Sequence, residues 1–208
     1  MEMKQKYFID SQKLVTGIFV LMLMELFHQW QNPTAWIYLA LHGTYGILWV
    51  IKGRIFPDRS WEQSCSLVYG LVIWGGLCLY WVAPWLIVSQ GIEVQAWYLG
   101  MCVFLYAMGV FLHFSADMQK YIALKVKPGH LITDGLFSRV RNMNYFGELL
   151  IYSGFGLLAM HWLPMLILFA WVSFVWVPRM LRKDRSLSRY PEFADYQERT
   201  KLFIPFLF

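Results

Sequence analysis

Six long apolar runs, set apart by short polar segments, organise this chain: residues 14–30, 35–51, 66–88, 96–114, 145–160 and 163–177. A helix needs about 20 apolar residues to cross the hydrocarbon of a bilayer. Each run is therefore read as a transmembrane helix. The last two are short, and His161, Trp162 and Pro164 between them predict a tight hairpin. Turn chemistry marks other breaks, at Asn32-Pro33, Pro57-Asp58 and Pro128-Gly129.

The polar segments carry a topology. With the N-terminus inside, the inside segments are 1–13, 52–65, 115–144 and 178–208, and all 18 Lys and Arg residues fall there. The opposite side holds Glu93 with uncharged polar neighbours such as Gln31, Asn32, Gln90 and Gln95. Loops rich in Lys and Arg stay cytoplasmic. The expectation is an all-α, polytopic membrane helix bundle of about six transmembrane helices with both termini cytoplasmic. Residues 1–208 form one integral membrane domain, and 115–208 are its cytoplasmic-side half.

Composition agrees. The chain is 58% hydrophobic and 15% charged, with a mean hydropathy of +0.44; soluble domains run at roughly 45–50% apolar and about 25% charged. The net charge of +5 reports topology, and no basic face interleaved with aromatics suggests nucleic acid. Cys65, Cys78 and Cys102 lie in or beside apolar runs without metal-ligand spacing, so buried free thiols and no metal are expected. The first 13 residues mix both charges and lack a cleavage site, unlike a signal peptide. The setting is a multi-pass membrane protein, in the endoplasmic reticulum of a eukaryote or the inner membrane of a bacterium.

Candidate chemistry gathers in the cytoplasmic half. His113 and Asp117 are four apart, hence on one helix face where the fourth span leaves the membrane. Asp134-Gly135 makes a turn, and Arg139 and Arg141 follow. These two cations suit the phosphate oxygens of a cofactor and equally anionic lipid headgroups. Asn144 sits at the N-cap of the fifth helix, with Glu148 one turn along. A carboxylate at that depth is costly unless paired, which makes it a functional-site hypothesis. Arg179, Arg182, Lys183 and Arg185 extend the last span as a basic stalk, broken at Tyr190-Pro191; a short amphipathic helix with Phe193 and Tyr196 should fold back. On the membrane side, Glu25 with His28 and His42 with Tyr45 each share a helix face. Such donors either polarise a buried carbonyl or hold neighbouring helices together.

Four elements carry a resemblance over roughly the last hundred residues: Asp117 followed by Lys127-Pro128-Gly129; Gly135-Leu136-Phe137; Asn144-Tyr145-Phe146-Gly147-Glu148; and Tyr190-Pro191, Tyr196 and Ile204-Pro205-Phe206. Together they resemble the C-terminal region of the steroid 5-alpha-reductase family, in its small DUF1295-like membrane branch. The resemblance implies an NADPH-dependent oxidoreductase that reduces a conjugated C=C bond of a sterol- or lipid-like enone. It implies that His113, Asp117, Asn144, Tyr145, Glu148 and Tyr196 line the cofactor site, with Lys125, Lys127, Arg139, Arg141 and Arg185 toward its phosphates. Tyr45, with Glu25 and His42, is then the candidate catalytic group. Here the chain departs from the family: Gly43, not Tyr, follows His42, and His113 stands where Asn is usual.

The chain also shares architecture with the isoprenylcysteine and phospholipid methyltransferases, which use S-adenosylmethionine. Their His-Pro is replaced here by Asn142-Met143, and their pair of glutamates by Lys183-Asp184. A non-catalytic membrane scaffold is the third reading. Sequence says nothing of the oligomeric state.

Overall fold

The computed structural model describes residues 3–207, which are overwhelmingly helical. In chain order the elements are β1 (Met3–Lys4), α1 (Gln5–Leu26), α2 (Pro33–Ile55), β2 (Ser64–Cys65), α3 (Leu67–Cys78), α4 (Val82–Ser89), α5 (Ala96–Val126), α6 (Met143–Gly156), α7 (Trp162–Trp171), α8 (Val177–Leu187) and α9 (Phe193–Arg199). Short 3-10 turns join α3 to α4 and follow α6, and a π-turn joins α7 to α8.

Among the described residues, five helical stretches are long and apolar enough to cross a membrane: Gln5–Leu26, Pro33–Ile55, Leu67–Ser89, Ala96–Val126 and Trp162–Leu187. Their outer faces leave Ile18, Val68, Phe104, Phe111 and Phe169 exposed. In water, apolar surface on that scale marks an interaction site; along membrane-length helices it is the face lipid covers. The chain is an all-α, multi-pass membrane protein.

Two expected spans differ. The fifth, placed at residues 145–160, is α6, with 14 residues and a 3-10 turn over Leu157–Ala159. At the usual rises these cover about 27 Å, just short of a hydrocarbon core of about 30 Å. The first helix starts at Gln5, well before the apolar run at residue 14, and so carries Asp10 and Lys13 within it.

The chain packs as two compact units. One comprises Met1–Tyr106 and Tyr152–Leu168, the other Ala107–Ile151 and Phe169–Phe208. In the first unit α1 and α2 pack closely because Gly46 has no side chain; a Cβ there would lie 2.7 Å from the Lys13 carbonyl oxygen. Asn32 starts α2 by accepting from the Thr34 and Ala35 amides, ahead of Pro33. Pro84 has no N–H to offer the Tyr80 carbonyl, which breaks the ladder between α3 and α4. Tyr38 donates to that carbonyl instead, at 3.5 Å. The two-residue strands β1 and β2 pair antiparallel, and Lys4 and Lys6 close this clasp on Glu62 at 2.8 and 2.6 Å. Those hydrogen bonds hold the Glu62 carboxyl below the usual carboxylate range.

In the second unit α5 and α6 meet backbone to backbone. A Cβ on Gly109 would lie 2.6 Å from the Gly147 carbonyl oxygen, and one on Gly147 would collide with the His113 amide. Small residues at such crossings let membrane helices approach closely. Gly135 has a φ of 55°, and Gln119 wraps its turn, donating to the Asp134 carbonyl at 2.9 Å and accepting from the Leu136 amide at 3.0 Å. Pro178 similarly lacks the N–H that Phe174 would have received, and the π-turn over Val172–Trp176 lies just before it.

Candidate functional site

Two polar clusters lie inside this apolar protein, one in each unit. In the second unit, the Gly109–Gly147 contact brings His113 and Asp117 of α5 against the first turn of α6. Both side chains are buried. His113 Nδ1 is 3.0 Å from the Asn144 carbonyl oxygen. A carbonyl only accepts, so Nδ1 carries a proton and Nε2 is left facing Asp117 Oδ2 at 3.9 Å. Asn144, Tyr145 and Glu148 are half-buried at the start of α6, where Tyr145 meets Trp176 edge-on at 5.5 Å. The structure thus brings together His113, Asp117 and Asn144, with Tyr145 and Glu148 beside Asn144 on the same helix.

The cations divide into two kinds. Lys125, Lys127, Arg139 and Arg185 are exposed. Arg141 is buried, and here the expectation of a phosphate ligand is corrected. Its Nε and Nη2 both lie 3.0 Å from Asp184 Oδ2, and Nη1 donates to the Thr200 carbonyl at 2.7 Å and to Gln197 O at 3.2 Å. A guanidinium so committed latches the C-terminal segment in place. Tyr196 does the same work, donating to the Phe137 carbonyl at 2.7 Å; burial pushes its phenol up to about 12. Lys201 completes the seam by exchanging backbone hydrogen bonds with Arg139 and Arg141.

Three further residues join this seam. Lys183 Nζ donates to the Arg141 carbonyl at 2.8 Å and to Asn142 Oδ1 at 2.9 Å. The fully buried Asn142 passes its own amide to the Leu202 carbonyl at 2.9 Å. Asn142, Lys183 and Asp184 are the positions at which the chain departs from the methyltransferase pattern. Lys183 bonds to Asn142 and to the Arg141 carbonyl, and Asp184 pairs with the Arg141 guanidinium, contacts that spacing along the sequence does not contain.

In the first unit the expected trio separates. Tyr45 and His42 are buried on α2, but His42 Nδ1 is bonded to Tyr38 Oη at 2.7 Å, one turn earlier. The imidazole stacks on Phe155 at 4.3 Å. Glu25 is exposed and accepts from Trp30 Nε1 at 2.6 Å. Tyr45 is level with Lys13, and twelve residues of helix separate Lys13 from Glu25, about 18 Å along the axis. Glu25 is therefore not a neighbour of Tyr45.

The charge that does reach Tyr45 is Lys13, which is 3% exposed. Its ammonium lies 4.1 Å from the Tyr45 ring centre and 4.5 Å from that of Trp49, and 3.3 Å from Tyr152 Oη. A sequence clue was present, since Asp10 precedes Lys13 by three residues on one helix face. The apolar run begins at Leu14, so apolarity along the chain does not place Lys13 inside the helix.

No curated protein matches this chain. Residues 58–200 match the family described as "Protein of unknown function (DUF1295)". The match covers well over half of the chain and takes in the α5 polar end, the Gly135 turn, the start of α6 and the C-terminal seam as far as Thr200. The protein belongs to that family.

Proposed function

We propose that this protein is a membrane oxidoreductase that reduces the conjugated C=C bond of a sterol- or lipid-like enone with NADPH. The observation that carries this reading is the buried His113–Asp117 pair held against the Asn144 carbonyl at the mouth of α6. A buried imidazole facing a buried carboxylate at 3.9 Å, at a membrane helix exit, is costly for mere packing. It supplies acceptors and donors suited to the amide and ribose hydroxyls of a nicotinamide cofactor.

The residues present fit such a group. Asn144 and Glu148 are half-buried acceptors beside the pair, and Tyr145 offers a ring. Arg139, Lys125, Lys127 and Arg185 are exposed cations for the phosphates. When bound, the cofactor supplies a hydride to the β-carbon of the enone. The protein must then hold the negative charge that develops on the carbonyl oxygen.

The methyltransferase reading fares less well, because its motif positions are spent on the Arg141–Asp184 and Asn142–Lys183 bonds. A thermal-shift comparison in detergent separates the readings. NADPH at 100 times its dissociation constant should stabilise the protein by about 2.7 kcal/mol, and S-adenosylmethionine should not. Glu148→Gln should abolish the NADPH shift while the unliganded melting temperature stays near the parent's. Stabilisation by S-adenosylmethionine alone would replace the reductase with the methyltransferase, and no shift with either would leave a scaffold.

A further inference from the structure

In the second unit the exposed surface does not end where the apolar residues do. Phe174, Pro178, Arg182 and Arg185 are all exposed and follow one another at intervals of four, four and three. Such spacing keeps them on one helix face. Leu181 flanks them at 45% exposed, and Phe174 opens the stripe with hydrocarbon at 81%. Arg189 follows, exposed, in the turn just past α8. Counted from Trp162, Arg182 stands about 30 Å along the helix, the thickness of a hydrocarbon core. Phe174 therefore lies among acyl chains, and the arginines lie at the level of the headgroups.

The protein offers these cations no counter-charge. Among the described residues, the side chains of Arg182 and Arg185 make no hydrogen bond, ion pair or ring contact. The carboxylate between them, Asp184, is buried and spent on Arg141 at 3.0 Å. Arg189 reaches uncharged groups, Ser186 Oγ at 3.5 Å and Tyr190 Oη at 3.3 Å. The exposed carboxylates that come next, Glu192, Asp195 and Glu198, are three apart and share a face of their own. The negative end of the α8 dipole accounts for Arg185 in the last turn, but Arg182 lies before that turn. Arginines one turn apart repel each other. A face that joins exposed hydrocarbon to unpaired arginines is complementary to a surface that is apolar within and negative at its edge.

We propose that this face of α8 is a binding site for an anionic phospholipid, whose phosphate accepts from Arg182 and Arg185 while an acyl chain lies along Phe174 and Leu181. A guanidinium presents parallel N–H donors that match phosphate oxygens, and Arg189 adds its charge at the outer end. On this reading Arg185 serves lipid, and Arg139, Lys125 and Lys127 remain for the cofactor's phosphates. The inference stands apart from the reductase reading, because a methyltransferase or a scaffold in this fold would meet the same leaflet.

The purified full chain in nonionic detergent is titrated with dioleoylphosphatidylglycerol and with dioleoylphosphatidylcholine, and thermal shift reads binding. The acyl chains are identical, so the headgroup alone differs. An arginine near an anionic surface contributes about fivefold in affinity, so two arginines should give phosphatidylglycerol a preference of about twentyfold. Arg182→Gln should cut that preference about fivefold, and Arg182→Gln with Arg185→Gln should remove most of it. Both side chains are exposed, so the variants should fold. Arg54→Gln with Arg59→Gln takes away two exposed cations of another inside segment and should keep the preference. Phe174→Ala should weaken both lipids alike. Equal binding of the two lipids by the parent, or an undiminished preference in the double variant of α8, overturns the proposal. So does an equal loss in the Arg54 and Arg59 variant, which would make the attraction a diffuse surface potential. Stabilisation by inorganic phosphate equal to that by phosphatidylglycerol also overturns it, since the stripe would then take a soluble anion.

Discussion

Arg139 and Arg141 stand two residues apart on one basic loop, one exposed and the other enclosed by Asp184, Gln197 and Thr200. Spacing made both look like phosphate ligands. Removing Arg141 leaves Asp184 buried without its cation, a loss of about 3–5 kcal/mol for a broken buried pair. Arg141→Met should therefore lower the melting temperature sharply with or without ligand. Arg139→Glu should leave the unliganded melt within about 0.5 kcal/mol of the parent, as surface changes usually do, and should weaken the NADPH shift. If Arg139→Glu changed neither quantity, its role would be lipid contact. Residue types were legible in the sequence here. Which donor was already occupied was not, because Arg141 is satisfied by partners 43 and 59 positions away.

Helices bring those types together or keep them apart. The polar end of α5 meets the start of α6 only because Gly109 and Gly147 face each other without side chains. Gly109→Ala would push a methyl group into the Gly147 carbonyl and the Ile151 amide, where overpacking costs about 1–3 kcal/mol. Melting should reveal that loss, and the NADPH shift should shrink with it as His113 moves from Asn144. Gly100 lies on the same helix with nothing within 4 Å of its would-be Cβ. Gly100→Ala should therefore melt at or above the parent's temperature, since alanine is the better helix former. An equal effect from both substitutions would mean that helix propensity, not the close approach, governs α5. The Asn144–Glu148 face was readable from its four-residue spacing; the glycine contact behind it was not, since many glycines in such chains meet nothing.

For the whole molecule, the decisive quantity is the number of crossings. Five helices meet the length for a span, and α6 with its turn falls a few ångströms short. If α6 does not cross, the two termini lie on opposite sides; if the bilayer thins to match it, they lie together. The placement of all 18 Lys and Arg residues in alternate segments favours the second arrangement, because a missed crossing would leave the basic stalk of α8 outside. Tags at the two ends should thus be cleaved by protease from the same face of sealed vesicles, and a cysteine placed at His161 should be labelled from the other. Opposite-face cleavage of the tags would make α6 a re-entrant helix.

The sequence by itself determined that this is an all-α membrane protein and roughly where its helices run. Those properties depend on local hydrophobicity, helical period and capping, which act over a few neighbouring residues. Only the tertiary structure decided which polar groups meet. Glu25 proved to be a surface residue, Arg141 a latch, and Lys13 a buried charge beside Tyr152. Burial of an ion in an apolar medium is tolerable only with partners in place, and here those partners come from helices far apart along the chain.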